Sequence, residues 1–387
     1  MIATVTKDIS STDTLTAAMS PSRILMAAGG TGGHVYPAIA IADALKNLRS
    51  DTEFLFVGTR NRMEWETVPK YGYQIKSIWI SGFHRRLTLQ NILFPLKLMV
   101  SIIQCFFILK SFKPDVVVAC GGFAAGPVGW VAKKMNIPLI LQEQNSFPGV
   151  TNRMLAKHAD QIFTAFKDAD DYLPPEKTVL AGNPVRSRFE SPGLDEALKS
   201  FGFNDEQPVL LVMGGSGGAL VLNEAMAEHL DKLHNELKLQ IIWQCGEKYH
   251  QQITDQIDLS AYPNLRLLSF IENIHLAYEA ADLVVTRAGA GTCSELMNVG
   301  QPAILVPSPN VAGNHQAKNA QSLADANAAK MLDENLLKGK LSDMIESLIH
   351  DKKELRAMSR AMTELAKPEA ADFIAKEIFS LIKQKQK

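Results

Sequence analysis

The sequence is poor in the features that mark several classes of protein. Its four cysteines, Cys105, Cys120, Cys245 and Cys293, form neither a CxxC pair nor the spacing of a zinc site. A disulfide scaffold is excluded, and we expect four buried free thiols in a reducing cytoplasm. The sequence also lacks an HExxH motif and a cluster of carboxylates that would suggest a metal. We therefore predict that the protein holds no metal.

The chain as a whole also lacks an excess of charge of one sign. Lys and Arg number 40 and Asp and Glu number 41, a formal net charge of −1, which gives no reason to expect a nucleic acid as partner. Residues 1–183 nevertheless hold 19 basic and 14 acidic side chains, a net of +5, whereas residues 184–387 hold 21 and 27, a net of −6. The basic excess is concentrated in 76–134, with eight basic side chains and one acid. Such a segment is either a solvated face or a contact for anionic lipid.

A long unbroken hydrophobic run is the third absence. A membrane span needs about 20 apolar residues, and the best candidate, 92–112, is interrupted by a proline, a glutamine and two lysines. We therefore predict no transmembrane helix. The segment is compatible with a helix that lies on an anionic membrane surface and with a helix buried in the core. Residues 1–20 are rich in Ser and Thr and lack the apolar core of a signal peptide, so we expect a flexible tail.

Strand-like apolar runs alternate with helical stretches along the chain. They occupy 23–28, 53–57, 115–119 and 138–141, and then 208–213, 239–243, 281–286 and 302–306. This alternation predicts an α/β protein with two parallel sheets covered on both faces, and a length of 387 residues also favours two domains. We place the domains at 21–183 and 184–366, and we expect a last helix over 367–387 that returns to the first domain.

Four glycine-rich loops follow strands and precede helices, at 29–34, 121–127, 214–219 and 287–295. A helix that begins after such a loop offers free N–H groups and a positive dipole end to a phosphate. One such loop often serves packing alone, but four favour phosphate binding. The dinucleotide pattern GxGxxG fails at its sixth position, where Val35 and Leu220 stand, and a Walker loop fails because Pro127 follows Gly126. The loops therefore predict phosphate sites without an obligatory cation.

A set of motifs, taken in order, resembles that of one bacterial enzyme family. They are GGTGGH at 29–34 with Pro37, GGFAAGP at 121–127, QEQN at 142–145, GVTN at 149–152, GNPVR at 182–186, GGSGGA at 214–219, RAGAGTCSE at 287–295 and HQAKNA at 315–320. The family adds N-acetylglucosamine to undecaprenyl-pyrophosphoryl-N-acetylmuramoyl-pentapeptide and so makes the lipid-linked disaccharide precursor of peptidoglycan. The resemblance covers about residues 23–383.

The resemblance implies a GT-B fold, in which two Rossmann-like domains with parallel sheets face a central cleft. The C-terminal domain would bind UDP-N-acetylglucosamine, and the N-terminal domain would bind the lipid pyrophosphate and an anionic membrane surface. The implied enzyme is an inverting transferase that needs neither metal nor other cofactor. It would be peripheral, at the cytoplasmic face of the inner membrane. Other proteins of cell-wall synthesis and cell division are further implied partners.

Two side chains are candidates for the catalytic base. His34 ends the first glycine loop, and a neutral imidazole suits abstraction of a proton from the acceptor hydroxyl. The alternative is a ring that hydrogen-bonds to the loop or to a phosphate. Glu143 follows a strand, where open α/β sheets place ligands. We rank it behind His34, as an alternative base or an acceptor contact.

The remaining site residues come from the resemblance. Glu295 would accept both ribose hydroxyls, Arg186 would pair with the diphosphate, and Ile271 would meet the uracil. The alternatives are a surface acid for Glu295, an interdomain ion pair for Arg186 and an ordinary helix cap for Ser216. The donor set is Thr31, Gly32, Gly33, Asn145, Arg186, Ser216, Ile271, Ala290, Gly291, Thr292, Glu295 and Gln316. The acceptor-pyrophosphate set is Gly30, His34, Gly121, Gly122 and Gly126. The membrane set is Arg85, Arg86, Phe94, Lys97 and Trp130.

Three positions depart from the family's pattern, and each puts one donor contact in doubt. Gly217 stands where Gln is frequent, Gly291 where a larger residue is frequent, and His315 where the family often has another Gln. Other functions stay open at this point. One is another GT-B enzyme, such as a UDP-N-acetylglucosamine 2-epimerase or a natural-product glycosyltransferase, which would not need the basic and apolar segment 76–134. The other is a membrane scaffold that binds a nucleotide sugar without catalysis.

Overall fold

The structure is a computed structural model that describes residues 21–82, 93–185, 192–215 and 217–385. Several predictions lie outside these residues. They are the tail over 1–20, the membrane contacts Arg85 and Arg86, and the donor contacts Arg186 and Ser216.

The first half of the chain forms a seven-stranded parallel sheet in the order β3-β2-β1-β4-β5-β6-β7. Strand β1, the third in this order, pairs on one side with β2 and on the other with β4. The chain therefore reverses its direction of travel across the sheet at β1, and such a switch point opens a crevice at the carboxyl ends of the strands. The strands are β1 (Arg23–Ala28), β2 (Glu53–Gly58), β3 (Gln74–Ser77), β4 (Val116–Gly121), β5 (Leu139–Glu143), β6 (Gln161–Thr164) and β7 (Thr178–Leu180).

Among the described residues of the first half, five helices pack on this sheet, and residues of β1 and β4 are buried on both of its faces. This burial explains why these strands read as nearly continuous apolar runs rather than as an alternation. The helices are α1 (Gly32–Leu48), α2 (Met63–Lys70), α3 (Phe94–Phe112), α4 (Ala125–Lys134) and α5 (Val150–Ala156). A 3₁₀ helix, Lys167–Tyr172, follows β6.

The second half repeats the plan with a six-stranded parallel sheet in the order β10-β9-β8-β11-β12-β13. Its strands are β8 (Val209–Met213), β9 (Gln240–Gln244), β10 (Leu265–Leu268), β11 (Leu283–Thr286), β12 (Ala303–Leu305) and β13 (Ala329–Met331). Its helices are α6 (Leu194–Phe201), α7 (Leu220–Asp231), α8 (Glu247–Gln256), α9 (Ile274–Ala280), α10 (Ala290–Val299), α11 (His315–Asp325), α12 (Leu337–Ile349) and α13 (Lys352–Leu365). The prediction of two parallel α/β sheets is confirmed.

The last helix, α14 (Ala370–Lys385), packs on the first sheet rather than on the second. Ile374, Ile378 and Ile382 are buried in the same core as α1 and β1. The chain reaches α14 past Gly182, where a Cβ atom would stand 2.3 Å from Cβ of Lys367. The two segments that connect the halves therefore touch each other, which only glycine permits at position 182.

Helix α3 packs one face on the core and leaves several large apolar side chains exposed on the other. Ser101, Cys105 and Leu109 are its buried residues, and their spacing of four places them on one face. Met99, Ile103 and Phe107 are 50–62% exposed, which excludes the fully buried helix that the sequence left open. By length and composition alone, α3 is the one helix among the described residues that could cross a membrane.

The predicted membrane residues of α3 and its neighbours differ in their surroundings. Phe94 packs partly against the core of the first domain. Lys97 donates a hydrogen bond to the Ser81 hydroxyl at 3.0 Å and lies 5.9 Å from the ring centre of Trp79. Trp130, on the adjacent α4, is 44% exposed.

All four cysteines are buried and free, as expected from their apolar contexts. Burial raises the pKa of the Cys105 thiol to about 12. Such thiols stay protonated near neutral pH and are poor nucleophiles.

Candidate active site

The first glycine loop sets the start of α1. Thr31 has an extended backbone (φ −148°, ψ 158°), and the helix begins at the next residue. The His34 backbone N–H donates to the Thr31 carbonyl at 3.1 Å, and His34 Nδ1 lies 3.1 Å from the Thr31 hydroxyl. Gly30 has a φ of +93°, a conformation that side chains disfavour. The loop therefore fixes the imidazole in the first turn of α1.

The second glycine loop makes room for that imidazole. Gly121 and Gly122 have φ values of +98° and +83°. A Cβ atom on Gly121 would stand 2.6 Å from Cδ2 of His34, and one on Gly122 would stand 2.0 Å from the carbonyl oxygen of Gly29. The two loops therefore meet backbone to backbone beside the imidazole. Gly126 lies further along, in α4 beside Thr151.

The surroundings of His34 keep its imidazole neutral. Burial is the largest cause, and it lowers the pKa of His34 to about 4. The charge of His315, which begins α11 in the second half, lowers this pKa further, whereas Glu64 and a hydrogen bond with the Gly29 backbone raise it. At pH 7 the imidazole is therefore unprotonated, which is the form a general base requires.

Glu64 is a buried carboxylate that the sequence analysis did not single out. Its Oε2 accepts a hydrogen bond from the Gly30 backbone N–H at 3.0 Å, and its Oε1 accepts from the backbone N–H and the hydroxyl of Thr59 at 3.0 and 2.7 Å. The side chain is fully buried. It thus ties the first glycine loop to the end of β2. The sequence signal that could have identified Glu64 was an acid in the first turn of a helix that follows a strand.

Glu143 ends β5, and residues that follow it in the chain donate hydrogen bonds to both oxygens of its carboxylate. Oε1 accepts from the backbone N–H and the side-chain amide of Asn145 at 3.0 and 3.1 Å. Oε2 accepts from the Gly149 N–H at 2.9 Å and from the Asn152 amide at 2.8 Å. Four donors hold the buried group in place. This arrangement suits a residue that shapes the loop, and it favours His34 as the base.

The third glycine loop lies at the start of α7 and packs against the turn after β9. A Cβ atom on Gly218 would stand 2.0 Å from the Cys245 carbonyl oxygen, so glycine is required there. At Gly217 and Gly291, by contrast, nothing lies within 4 Å of a Cβ position. Gly291 is in the first turn of α10, between Ala290 and Thr292, where helical N–H groups have no partner within the helix.

Glu295 follows one turn later in α10 and is held by a residue that sequence reasoning missed. The hydroxyl of Tyr278, from α9, donates to Glu295 Oε2 at 3.0 Å. Burial raises the pKa of the Glu295 carboxyl. The Glu295 side chain is only partly exposed, so it is not the surface acid that the sequence left as the alternative. Tyr278 left no signal in the sequence because an aromatic residue in an apolar helix normally belongs to the core.

Two further predicted donor residues belong to the second half: Gln316 in the first turn of α11 and Ile271 after β10. Gln316 Oε1 accepts from the Ser308 backbone N–H at 2.8 Å, which ties α11 to the loop after β12. Ile271 follows β10 and packs in the core of the second domain.

The two halves meet at this site through α11. Asn319 donates to Asn145 Oδ1 at 3.4 Å, so the predicted sugar contact of the first domain lies beside the second domain. The Lys318 ammonium stands 3.0 Å from the ring centre of Phe147. His34 is also close enough to His315 of α11 for that charge to affect it. The loops with His34 and Asn145 therefore border the same interdomain cleft as α11.

Comparison with known proteins agrees with this geometry. Residues 24–164 match the glycosyltransferase family 28 N-terminal domain, and residues 209–374 match the glycosyltransferase family 28 C-terminal domain. Two similar proteins bear the name UDP-N-acetylglucosamine–N-acetylmuramyl-(pentapeptide) pyrophosphoryl-undecaprenol N-acetylglucosamine transferase. The one from Flavobacterium psychrophilum is 42% identical over 95% of this chain and 100% of its own length. The one from Christiangramia forsetii is 43% identical over 94% and 98%.

A solved structure extends the likeness to three dimensions. The crystal structure of Acinetobacter baumannii MurG matches with a TM-score of 0.76 and 28% identity, over 93% of this chain and 100% of that one. The predicted GT-B arrangement of two Rossmann-like domains is confirmed. Both domain matches and the near-complete overlap with the relatives lead to one conclusion: this chain is a member of the glycosyltransferase 28 family of UDP-N-acetylglucosamine–N-acetylmuramyl-(pentapeptide) pyrophosphoryl-undecaprenol N-acetylglucosamine transferases.

Proposed function

We propose that this chain transfers N-acetylglucosamine from UDP-N-acetylglucosamine to the 4-hydroxyl of the muramoyl sugar in undecaprenyl-pyrophosphoryl-N-acetylmuramoyl-pentapeptide. The product is a β(1→4)-linked disaccharide lipid. The observation that carries this proposal is a neutral His34, held between two glycine loops of the first domain on the cleft that α11 borders from the second. The relatives' shared name supports the choice of both substrates.

The reaction follows from the arrangement of these groups. The acceptor oxygen attacks the anomeric carbon from the face opposite UDP, and its proton passes to the imidazole of His34. A bond forms between this oxygen and the anomeric carbon, and the bond from that carbon to the UDP oxygen breaks. The configuration inverts from α to β. Negative charge develops on the departing UDP, where preorganised donors stabilise it.

The donor would lie on the second domain. The N–H groups at Ala290, Gly291 and Thr292 and those near Ser216 would bind the diphosphate, because helix N-termini carry a positive dipole end. Arg186 would add a guanidinium, Glu295 would accept the ribose hydroxyls, and the backbone at Ile271 would meet the uracil. Gln316 and Asn145 would bind the sugar, with the loop at Thr31, Gly32 and Gly33 on its other side.

The acceptor pyrophosphate would lie on the first domain, between the loops at Gly30 and at Gly121 and Gly122. Glycine at these positions would let a phosphate approach the backbone of both loops closely, because no side chain stands in the way. Gly126 would contribute the start of α4. This placement brings the muramoyl sugar to His34 and leaves the lipid chain on the side of α3.

We also propose that the protein binds the cytoplasmic face of the inner membrane as a peripheral enzyme, through a surface formed by α3, Trp79 and Trp130. Exposed apolar side chains of α3 would enter the headgroup region, and Lys97 and Lys134 would lie near anionic lipid. Lys134 stands 5.6 Å from the ring centre of Trp130, so charge and aromatic surface coincide. The predicted contacts Arg85 and Arg86 belong to the same stretch of sequence.

One assay tests the transfer reaction directly. The full chain, radiolabelled UDP-N-acetylglucosamine and the lipid-linked muramoyl-pentapeptide should yield a labelled disaccharide lipid. The yield should persist in excess chelator, because backbone donors and Arg186 rather than a metal ion would hold the phosphates. Free N-acetylmannosamine from the donor alone would identify an epimerase, and donor binding without product would identify a scaffold. Complete loss of turnover in chelator, restored by a divalent metal, would contradict the metal-independent mechanism.

A second prediction concerns the open side of the third loop. In the variant Gly217→Gln the amide has space to reach the donor. We expect KM for UDP-N-acetylglucosamine to fall about fivefold, since a hydrogen bond contributes about 1 kcal/mol, with kcat unchanged. Gly339→Gln, at an equally open glycine in α12, is the matched control. An unchanged or higher KM in Gly217→Gln would show that the donor does not pass this position.

Membrane binding is testable by sedimentation with anionic vesicles. Replacement of Ile103 and Phe107 by Asp should release most of the protein, because both are exposed apolar side chains of α3. Leu194→Asp, at an exposed leucine of α6, should bind like the parent. Raising the salt from about 0.1 M to about 1 M shortens the electrostatic screening length from about 10 Å to about 3 Å. Because this weakens the attraction of the basic side chains to anionic lipid, part of the bound parent protein should also be released. Equal vesicle binding by the Ile103 and Phe107 variant and by Leu194→Asp would refute the proposal that this surface binds the membrane.

A further inference from the structure

Asn319 is a fully buried polar side chain on α11, at the place where the two domains meet. A buried amide must satisfy both its oxygen and its nitrogen, because an unmet polar group costs free energy. Four contacts meet this requirement, and they come from two other segments of the chain, the loop with Asn145 and Ser146 and the loop with Ala288.

The oxygen of the Asn319 amide faces the first domain. Oδ1 accepts from the backbone N–H of Ser146 at 2.9 Å and from its hydroxyl at 3.0 Å. Ser146 directly follows Asn145 in the loop that Glu143 shapes. The second domain therefore holds the backbone of the loop that presents the proposed sugar contact.

The nitrogen of the same amide joins that loop to the donor helix. Nδ2 donates to Asn145 Oδ1 at 3.4 Å and to the Ala288 carbonyl at 3.2 Å. Ala288 precedes Gly289, the residue that caps α10. Both acceptor positions and both donor hydrogens of Asn319 are used, so its orientation is fixed by its partners.

We propose that Asn319 is a positioning residue that couples domain closure to recognition of the donor sugar. It orients the Asn145 side chain and sets the distance between the 143–149 loop and the start of α10, without touching substrate. When the domains separate, Asn145 loses this partner, so the sugar site is complete only in the closed form. The inference rests on the proposed donor contact of Asn145.

A second hydrogen bond between α11 and the first domain provides a control variant. Ser322, one turn along α11, donates to Asp168 of the first domain at 2.5 Å. That contact is solvent-exposed and does not involve Asn145. Its loss should weaken the docking of α11 slightly without moving the sugar contact.

The decisive variant is Asn319→Asp, which has the same shape. The carboxylate still accepts from Ser146 but loses both donor hydrogens and opposes the oxygens of Asn145 and Ala288. We expect kcat/KM for UDP-N-acetylglucosamine to fall about thirtyfold, in keeping with two lost hydrogen bonds. The loss should lie in KM for the donor, with KM for the lipid acceptor unchanged. Ser322→Ala should stay within about twofold of the parent.

The double variant Asn145→Ala/Asn319→Ala separates action through Asn145 from a merely structural effect. If Asn319 acts through Asn145, the double variant should be no more than about twofold worse than Asn145→Ala alone. Additive losses, or a normal donor KM in Asn319→Asp, would overturn the inference. If Asn145→Ala itself has no effect, the proposed donor contact fails instead. The affinity of Asn319→Asp for UDP alone should be unchanged, which would show that the variant is folded. If the affinity for UDP falls together with the affinity for UDP-N-acetylglucosamine, the inference is also overturned.

Discussion

The absent side chains of Gly121 and Gly122 set the geometry on which the rest of the site depends. A Cβ atom at either position would collide with the His34 ring or with the Gly29 carbonyl. Because both are glycine, the loops after β1 and β4 touch, the imidazole is enclosed between them, and its pKa falls to about 4. The same lack of side chains would let an acceptor pyrophosphate approach the backbone of both loops closely. One steric constraint thus shapes both the proposed base and the proposed pyrophosphate site.

Much of the fold was predictable from the sequence because its signals are local. Apolar runs that end in glycine mark the buried parallel strands, and the loop glycines mark where the chain turns into helices. The roles of Glu64, Tyr278 and Asn319 were not predictable, since each depends on partners that folding brings from distant segments. Glu143 illustrates the same limit: its position at the end of β5 suggested a base, but four donors from the following loop and α5 surround it. For α3, periodicity could not distinguish a core helix from a surface helix.

Net charge is a poor guide to where the anionic donor would bind. The half that holds α10 and the third loop has a net charge of −6. Binding of UDP there would rely on oriented N–H groups within a few ångströms, because these act at short range whereas dispersed surface charges are screened. The half with a net charge of +5 is the one that carries α3 and the acceptor loops. Its charge suits a lipid substrate that lies in an anionic membrane.

The central claim is that neutral His34 removes the proton of the acceptor hydroxyl. The most direct measurement is kcat/KM for disaccharide formation between pH 5 and 9, for the parent chain and for His34→Ala. Since the pKa of His34 is lowered to about 4, the parent should keep its base unprotonated across this range, with no acid limb near the usual 6.5 of histidine. The variant should lose about 10²- to 10⁴-fold at neutral pH, the usual contribution of a general base. Near-normal turnover in His34→Ala, or a parent acid limb at pH 6.5 or above, would contradict the account.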